Sequence, residues 1–402
     1  MKILLLCNKS PWPPLEGGPI AMNAMITGLL SAGHQVKVLA VNSNKYSIGT
    51  DAIPEAYRLK TGIETVYIDL KVKPLPALLN LFTGKSYHVE RFISESFKLA
   101  LTSILKKEKF DIIQFETLFT SPYLPLIRNL SDARIVLRAH NIEHLIWQRI
   151  AAGCWNPVKK IYLSHLARTL KQYELDTLKK VDGVVAITEK DAGFFRSVAP
   201  GTEVISVPFG IQSTGSDNTI TIKTDEEQPT LFHLGSMNWI PNQEGIGWFI
   251  RRVWPQIAEK FPELRFHLAG REMPQWLKSL HKKGIIVDGE IPDAVAYMQS
   301  HTIMIVPLFS GSGIRIKIIE GMLAGKAIIT TEIGAEGISF TDGVNLLIAN
   351  DEDGFIQAVE RCLKTPGLIE ELGKNAKNHV KQVHNNGHLM EKISDFYHLL
   401  MQ

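Results

Sequence analysis

The apolar positions of this chain fall into short continuous runs separated by stretches of helical period. KILLLC (2–7) has no polar interruption, as expected of a parallel strand buried on both faces. A loop with Pro11, Pro13 and Pro14 follows and ends EGG at 16–18. From Ile20 to Ala32 the apolar residues recur at helical spacing, Gly33 stops them, and QVKVLAV (35–41) reads as the next strand. This is one βαβ unit. DIIQFE (111–116), RIVLRAH (134–140) and GVVAIT (183–188) read as further strands, and 157–180 as a long helix. After VISVPFG (204–210) the stretch 213–229 loses all apolar period, so an interdomain linker is placed at about 211–229. A second series then begins. TLFHLG (230–235), LRFHLAG (264–270), GIIVDG (284–289), TIMIVPL (302–308), KAIITT (326–331) and NLLIA (345–349) read as strands, with helices over 244–260 and 317–325.

Alternating strands and helices on both sides of a linker predict an α/β protein of two Rossmann-like, doubly wound domains facing across a cleft. The expected division is 1–208, 209–387 and an amphipathic C-terminal helix, 388–402, free to pack back on the N-terminal domain. In such sheets ligands bind at the carboxyl ends of the strands, so candidate chemistry belongs in the strand-to-helix loops.

Composition narrows this little. The 402 residues are 45% hydrophobic and 21% charged, with no apolar run of membrane-spanning length. The first six residues resemble a signal peptide, but Asn8 and Lys9 break the run. Cys7, Cys154 and Cys362 fit no metal or redox spacing, and a cytoplasmic chain with free thiols is expected. Charge is uneven: residues 1–208 carry 26 Lys and Arg against 18 Asp and Glu, a net of +8, while the remainder nets −5. A basic N-terminal half suits an anionic partner, such as a phospholipid surface. The aromatic and basic residues are not interleaved as single-stranded nucleic acid requires, so no nucleic-acid partner is expected.

The strongest chemical signal is PLFSGSGIRIKIIEGMLAGKAIITTEIGAEGI (307–338). A strand ends at Pro307, a small turn of Ser310, Gly311, Ser312 and Gly313 follows, and Ile314 leads into a helix. Amides at a helix N-terminus attract anions, and glycines let a phosphate approach. Arg315 and Lys317 stand there against the helix dipole, which an anionic ligand explains. Glu320 can accept two hydroxyl hydrogen bonds, as from a ribose diol; an internal Lys317–Glu320 pair on a solvated turn is the plain alternative.

This segment closely resembles the signature of the group 1 family of retaining glycosyltransferases, which have the GT-B fold, and best its branch with a GSG-x-R-x-K loop. The resemblance implies that Glu320 holds the nucleotide ribose. The family's preceding glutamate, a donor-sugar contact, falls on Ser312. FHLGSMNWIPNQEG (232–245) resembles the family's pyrophosphate loop, but Ser236 occupies the arginine position and no lysine follows. Arg315 and Lys317 are taken to supply that charge, with Gly235, Ser236 and Asn238 lying against the nucleotide. Trp239, Trp248 and Trp254 are expected in the core. DGEIPD (288–293) resembles the loop that reads the nucleobase edge, placing Gly289 and Ile291 there. Gly17 and Gly18 match the family's glycine-rich first loop against the donor phosphate, and His140 matches a histidine beside the reacting sugar. Glu143 and His144 lie near it, but a third metal ligand cannot be assigned. No metal and no cofactor are expected.

The implied activity is metal-independent, retaining transfer from a nucleotide diphosphate sugar to a saccharide or lipid-linked saccharide in bacterial surface polysaccharide synthesis, at the inner face of the membrane. A non-catalytic sugar-nucleotide sensor and a nucleotide-sugar epimerase are the alternatives.

Overall fold

The computed structural model describes residues 1–402 apart from 15, 16, 45, 46, 48, 50, 51, 72–79, 82, 211–227, 312 and 313. The chain divides into two compact units, Met1–Gln212 with His384–Gln402, and Ser213–Val383. The expected linker, 211–229, lies almost wholly outside the described residues, as do Ser312 and Gly313.

The first unit is built on seven strands: β1 (Lys2–Cys7), β2 (Gln35–Ser43), β3 (Glu64–Ile68), β4 (Ile112–Phe115), β5 (Arg134–Ala139), β6 (Gly183–Ala186) and β7 (Glu203–Ser206). They form one parallel sheet in the order β3-β2-β1-β4-β5-β6-β7. The unbroken apolar run of β1 has the consequence its pattern predicts. Leu4 and Leu6 enter one core, with Phe97, Leu101 and Leu170, and Ile3, Leu5 and Cys7 enter the opposite one. The second core is closed by the C-terminal helix Asn386–Met401, which supplies Met390, Ile393, Phe396 and Tyr397. That helix packs against the first helix, Gly17–Ser31: a Cβ on Gly28 would meet Met390 Sδ at 2.6 Å. Gly17 and Gly18 therefore sit in the first turn of a helix, whereas the sequence pattern starts that helix at Ile20. Strand β3 escapes the pattern because it is an edge strand, with Tyr67 57% exposed.

The second unit has β8 (Leu231–Leu234), β9 (Phe266–Ala269), β10 (Ile285–Gly289), β11 (Ile303–Val306), β12 (Ala327–Thr330) and β13 (Leu347–Ile348), parallel in the order β10-β9-β8-β11-β12-β13. The expected helix over 244–260 is in fact three pieces. An α-helical stretch, Ile240–Trp248, passes through a wider π turn, Phe249–Val253, into Trp254–Lys260. Pro255 has no N–H to bond back to residue 251, so the regular ladder cannot continue there.

Both sheets reverse their winding after the third strand, between β1 and β4 in one and between β8 and β11 in the other. Helices on either side of such a switch point diverge and leave a crevice at the carboxyl ends of the strands.

Candidate functional site: a cation pair at the β8–β11 switch point

Helix Ile240–Trp248 approaches β11 without a spacer. A Cβ on Gly245 would lie 1.7 Å from the Pro307 carbonyl oxygen, so only glycine permits this contact. Gly270, past β9, is equally constrained, since a Cβ there would lie 1.8 Å from the Gly235 carbonyl oxygen. These approaches bring the segments after β8, β9 and β11 together at one end of the sheet.

Lys317, in the first turn of helix Ile316–Leu323, reaches back to the end of β8. Its Nζ donates to Asn242 Oδ1 at 2.7 Å and lies 3.4 Å from His233 Nε2. Asn242 Nδ2 in turn donates to the Ser236 carbonyl at 2.8 Å, and His233 Nδ1 lies 2.7 Å from the Ile305 carbonyl on β11. A Cβ on Gly235 would come within 3.1 Å of the Lys317 amine. The lysine that 236–245 lacks is thus delivered to that loop from across the switch point. Burial, followed by the Arg315 charge, brings the Lys317 amine down to about 7. Burial, followed by Lys317, holds His233 well below its ordinary value, so it remains neutral.

Arg315 is 5% exposed, and its guanidinium sits 5.1 Å from the centre of the Trp239 ring. Trp239 is therefore part of the site and not of the core, a correction to its expected place. Trp254 is fully buried, and Trp248 packs on Phe309 and Phe355. A Cβ on Gly311 would meet both Arg315 Nη2 and Trp239 at 2.9 Å, so Gly311 lies directly on this stack. Glu320 faces solvent one turn beyond Lys317, but enough protein surrounds its carboxyl that desolvation raises its pKa.

Asn238 Nδ2 donates to Glu272 Oε1 at 2.9 Å. Glu272 holds φ at 53°, a left-handed conformation that costs a non-glycine residue energy and is retained where surrounding contacts enforce it. Gly289 ends β10 at a register shift opposite β9, and Ile291 follows it, half-buried. Behind this turn Asp288 Oδ2 accepts from Tyr297 Oη at 2.7 Å and lies 3.1 Å from His267 Nδ1. Among the described residues, His267, Asp288 and His301 are the three metal-capable side chains that come together, within 4.8 Å. Asp288 bonds to His267 and Tyr297, and His301 Nδ1 lies on Thr230 Oγ1 at 3.2 Å, while His267 Nε2 is buried without a hydrogen-bond partner among the described residues.

In the first unit the corresponding strand ends carry a second buried network. Glu116, just past β4, is fully buried and accepts from Arg138 Nη1 at 2.9 Å and Gln114 Nε2 at 2.6 Å. Arg138 also donates to the Ala21 carbonyl of the first helix, and Tyr397 of the C-terminal helix donates to Gln114. His140 Nε2 lies 3.3 Å from Glu116 Oε2. Burial opposes the Glu116 charge, but Arg138, His140 and Gln114 together hold the carboxyl below its usual value. Burial lowers His140 despite Glu116, leaving a neutral imidazole. A neutral ring that donates from Nε2 to the carboxylate presents Nδ1 as an acceptor. Gly18 lies near Lys9, whose charge also acts on His140.

The neighbours of His140 have a different task. His144 Nδ1 pairs with Glu174 Oε2 at 2.6 Å, and Glu174 also accepts from the Glu143 and His144 amides. This ties helix Glu143–Ala152 to helix Pro157–Leu178. Burial, followed by Glu174, raises the Glu143 carboxyl to about 8.

Sequence reasoning missed His233, Asn242, Glu272, Glu116 and Arg138. Two of these, Arg138 and His233, carried a signal, a charged or polar side chain inside an apolar strand run.

The comparisons with known proteins agree with this architecture. The model of the family described as glycosyl transferases group 1 matches residues 228–365. A sucrose-phosphate synthase from Thermosynechococcus elongatus superposes with a TM-score of 0.71 at 14% identity, covering 100% of this chain and 99% of that one. Anabaena HepE in complex with UDP and glucose superposes with a TM-score of 0.64 at 14% identity, over 98% and 99%. The fold is GT-B. An uncharacterized 44.6 kDa protein in the cps region of Klebsiella pneumoniae is 22% identical over 406 residues, 98% of each chain. In this GT-B chain the matched stretch contains Gly235, Ser236, Asn238, Gly289, Ile291, Gly311, Arg315, Lys317 and Glu320, and His140 lies outside it.

Proposed function

We propose that the chain is a retaining glycosyltransferase that takes a sugar from a nucleoside diphosphate donor without a metal ion. The observation that carries this reading is the Arg315–Lys317 pair at the switch point between β8 and β11. Arg315 is buried and Lys317 half-buried, and the repulsion between their like charges is relieved by a diphosphate. Asn242, Trp239 and His233 hold them in place, so little reorganisation accompanies the build-up of charge on the leaving phosphate. Glu320 accepts from the ribose hydroxyls, and Gly289 and Ile291 meet the base. In the transfer step the bond from the anomeric carbon to the phosphate oxygen breaks as the acceptor oxygen bonds to the same face. The acceptor proton passes to the departing phosphate. Glu320 binds and does not act as a base; His140, steadied by Glu116, serves the acceptor side.

The UDP in the HepE complex makes UDP-sugars the first donors to test, and the cps setting of the Klebsiella relative favours a saccharide or lipid-linked saccharide acceptor. A nucleotide-sugar screen by thermal stabilisation, followed by assay with chelator present and assignment of the product anomer, tests the proposal. Inversion at the anomeric carbon, or loss of activity with chelator and its rescue by manganese, overturns the corresponding part. An epimerised donor in place of a transferred sugar overturns the whole.

A further inference from the structure

From His144 to Tyr173 the sequence contains no Asp or Glu and five cations, Arg149, Lys159, Lys160, Arg168 and Lys171. The structure folds this stretch into two helices, Glu143–Ala152 and most of Pro157–Leu178, joined by a four-residue turn, and leaves all five cations exposed. The turn and the helix beyond it also expose large apolar side chains. Trp155 is 99% exposed, Val158 77% and Ile161 72%. Val158 and Ile161 are three residues apart and share a helix face, with Lys159 and Lys160 between them.

This tip is not a slack loop. Asn156 Oδ1 caps the second helix by accepting from the Lys159 amide at 3.0 Å, and Pro157 opens that helix with its fixed φ. Beneath it Ala151, Leu163 and Leu166 are buried with Tyr87 in a small core of their own. The apolar residues at the tip are therefore held outward by a packed base.

An exposed tryptophan, two exposed aliphatics and five exposed cations specify a partner that is apolar within and anionic at its surface. An anionic bilayer has both properties. Tryptophan settles at the headgroup level, aliphatics enter the acyl boundary, and Lys and Arg meet the phosphates. A protein partner would explain the apolar tip but leave the absence of any acidic residue over thirty positions unexplained.

We propose that the 144–173 hairpin docks the protein on an anionic membrane, with Trp155, Val158 and Ile161 entering the interface and Arg149, Lys159 and Lys160 engaging lipid phosphates. The docking does not depend on the transfer reading. If that reading also holds, helix Glu143–Ala152, roughly 15 Å long and beginning three residues after His140, sets His140 close above the lipid surface. That is within reach of a saccharide carried on lipid.

Sedimentation of the full-length protein with mixed phosphatidylglycerol–phosphatidylcholine vesicles, against pure phosphatidylcholine, tests the inference. Binding should favour the mixed vesicles and fall with added salt. The triple variant Trp155→Ser, Val158→Ser, Ile161→Ser should lose roughly tenfold or more in partition. Lys159→Glu and Lys160→Glu should each cost about fivefold or more. All positions are exposed, so melting temperatures should stay unchanged. A blue shift of tryptophan emission on mixed vesicles should disappear in Trp155→Phe. Equal binding to neutral and anionic vesicles, full retention by the triple variant, or a dimer abolished by that variant with no vesicle binding would overturn the proposal. UDP binding, measured on the same samples, keeps the two questions separate: lost docking with intact UDP binding rejects this inference alone, and the reverse rejects the donor-site reading alone.

Discussion

Lys317 governs the electrostatics of the switch point because its amine titrates near neutrality, at about 7, when the site holds no ligand. A bound diphosphate favours the charged amine and raises its pKa. Binding near pH 7.5 should therefore take up a fraction of a proton, at most about three quarters per site. Affinity should be greatest below pH 7 and decline as pH rises through the free-site value. Calorimetry of UDP binding in buffers of differing ionisation enthalpy measures the uptake, and Lys317→Met should abolish it. Arg315→Ala and Lys317→Ala should each cost about 1.5–3 kcal/mol in UDP binding and far less in uridine binding. Equal losses for both ligands would place the pair away from the phosphates. Between the two units, His140→Ala in the first should lower turnover strongly with little change in UDP affinity, and Glu320→Ala in the second should weaken UDP binding more than turnover. If His140→Ala weakened UDP binding as much as Glu320→Ala, the assignment of His140 to the acceptor side would fail.

At the scale of elements, polar networks fix strand ends in both units. In the first, Glu116 and Arg138 link β4, β5, the first helix and, through Gln114 and Tyr397, the C-terminal helix. Arg138→Leu strands a buried carboxylate and should destabilise the protein by about 3–5 kcal/mol, while pairing it with Glu116→Gln should recover much of the loss. Thermal melts of the two variants read this directly. In the second unit, burial and then the His267 charge push His301 down to about 4, so it folds neutral. The unfolded chain takes up that proton first as pH falls below the ordinary value of 6.5. Stability should therefore drop as pH falls from about 6.5 to 4. A His301→Phe variant should show a flatter acid limb in denaturant titrations over that range. Neither network was legible as a network. Arg138 and His233 stand out inside apolar strand runs, but which carboxylate or amine each would meet depends on strand order, and 22 and 84 residues separate them from Glu116 and Lys317.

At the scale of the molecule, one unit is continuous in sequence and the other is not. Residues 213–383 contain a complete six-stranded sheet and its core, so this fragment should fold alone and bind UDP within a few-fold of the full chain. Residues 1–212 lack Met390, Ile393, Phe396 and Tyr397, which close one face of their sheet, and should not fold unless 384–402 is supplied. Circular dichroism and calorimetry on the two fragments check both outcomes.

The run and spacing of apolar residues were sufficient to indicate two parallel α/β units, the places of eleven of their strands, and the Arg315–Lys317–Glu320 helix. Burial on both faces leaves a local record in β1 and β8, and a glycine turn before a cationic helix is local too. Tertiary structure alone decided that Lys317 crosses to Asn242, that Trp239 carries Arg315 and not the core, and that Trp155 stands in solvent. These depend on which chain segment covers which face. A tryptophan has the same local pattern whether a helix packs over it or not, and a lysine's partner is set by strand order, which periodicity does not encode.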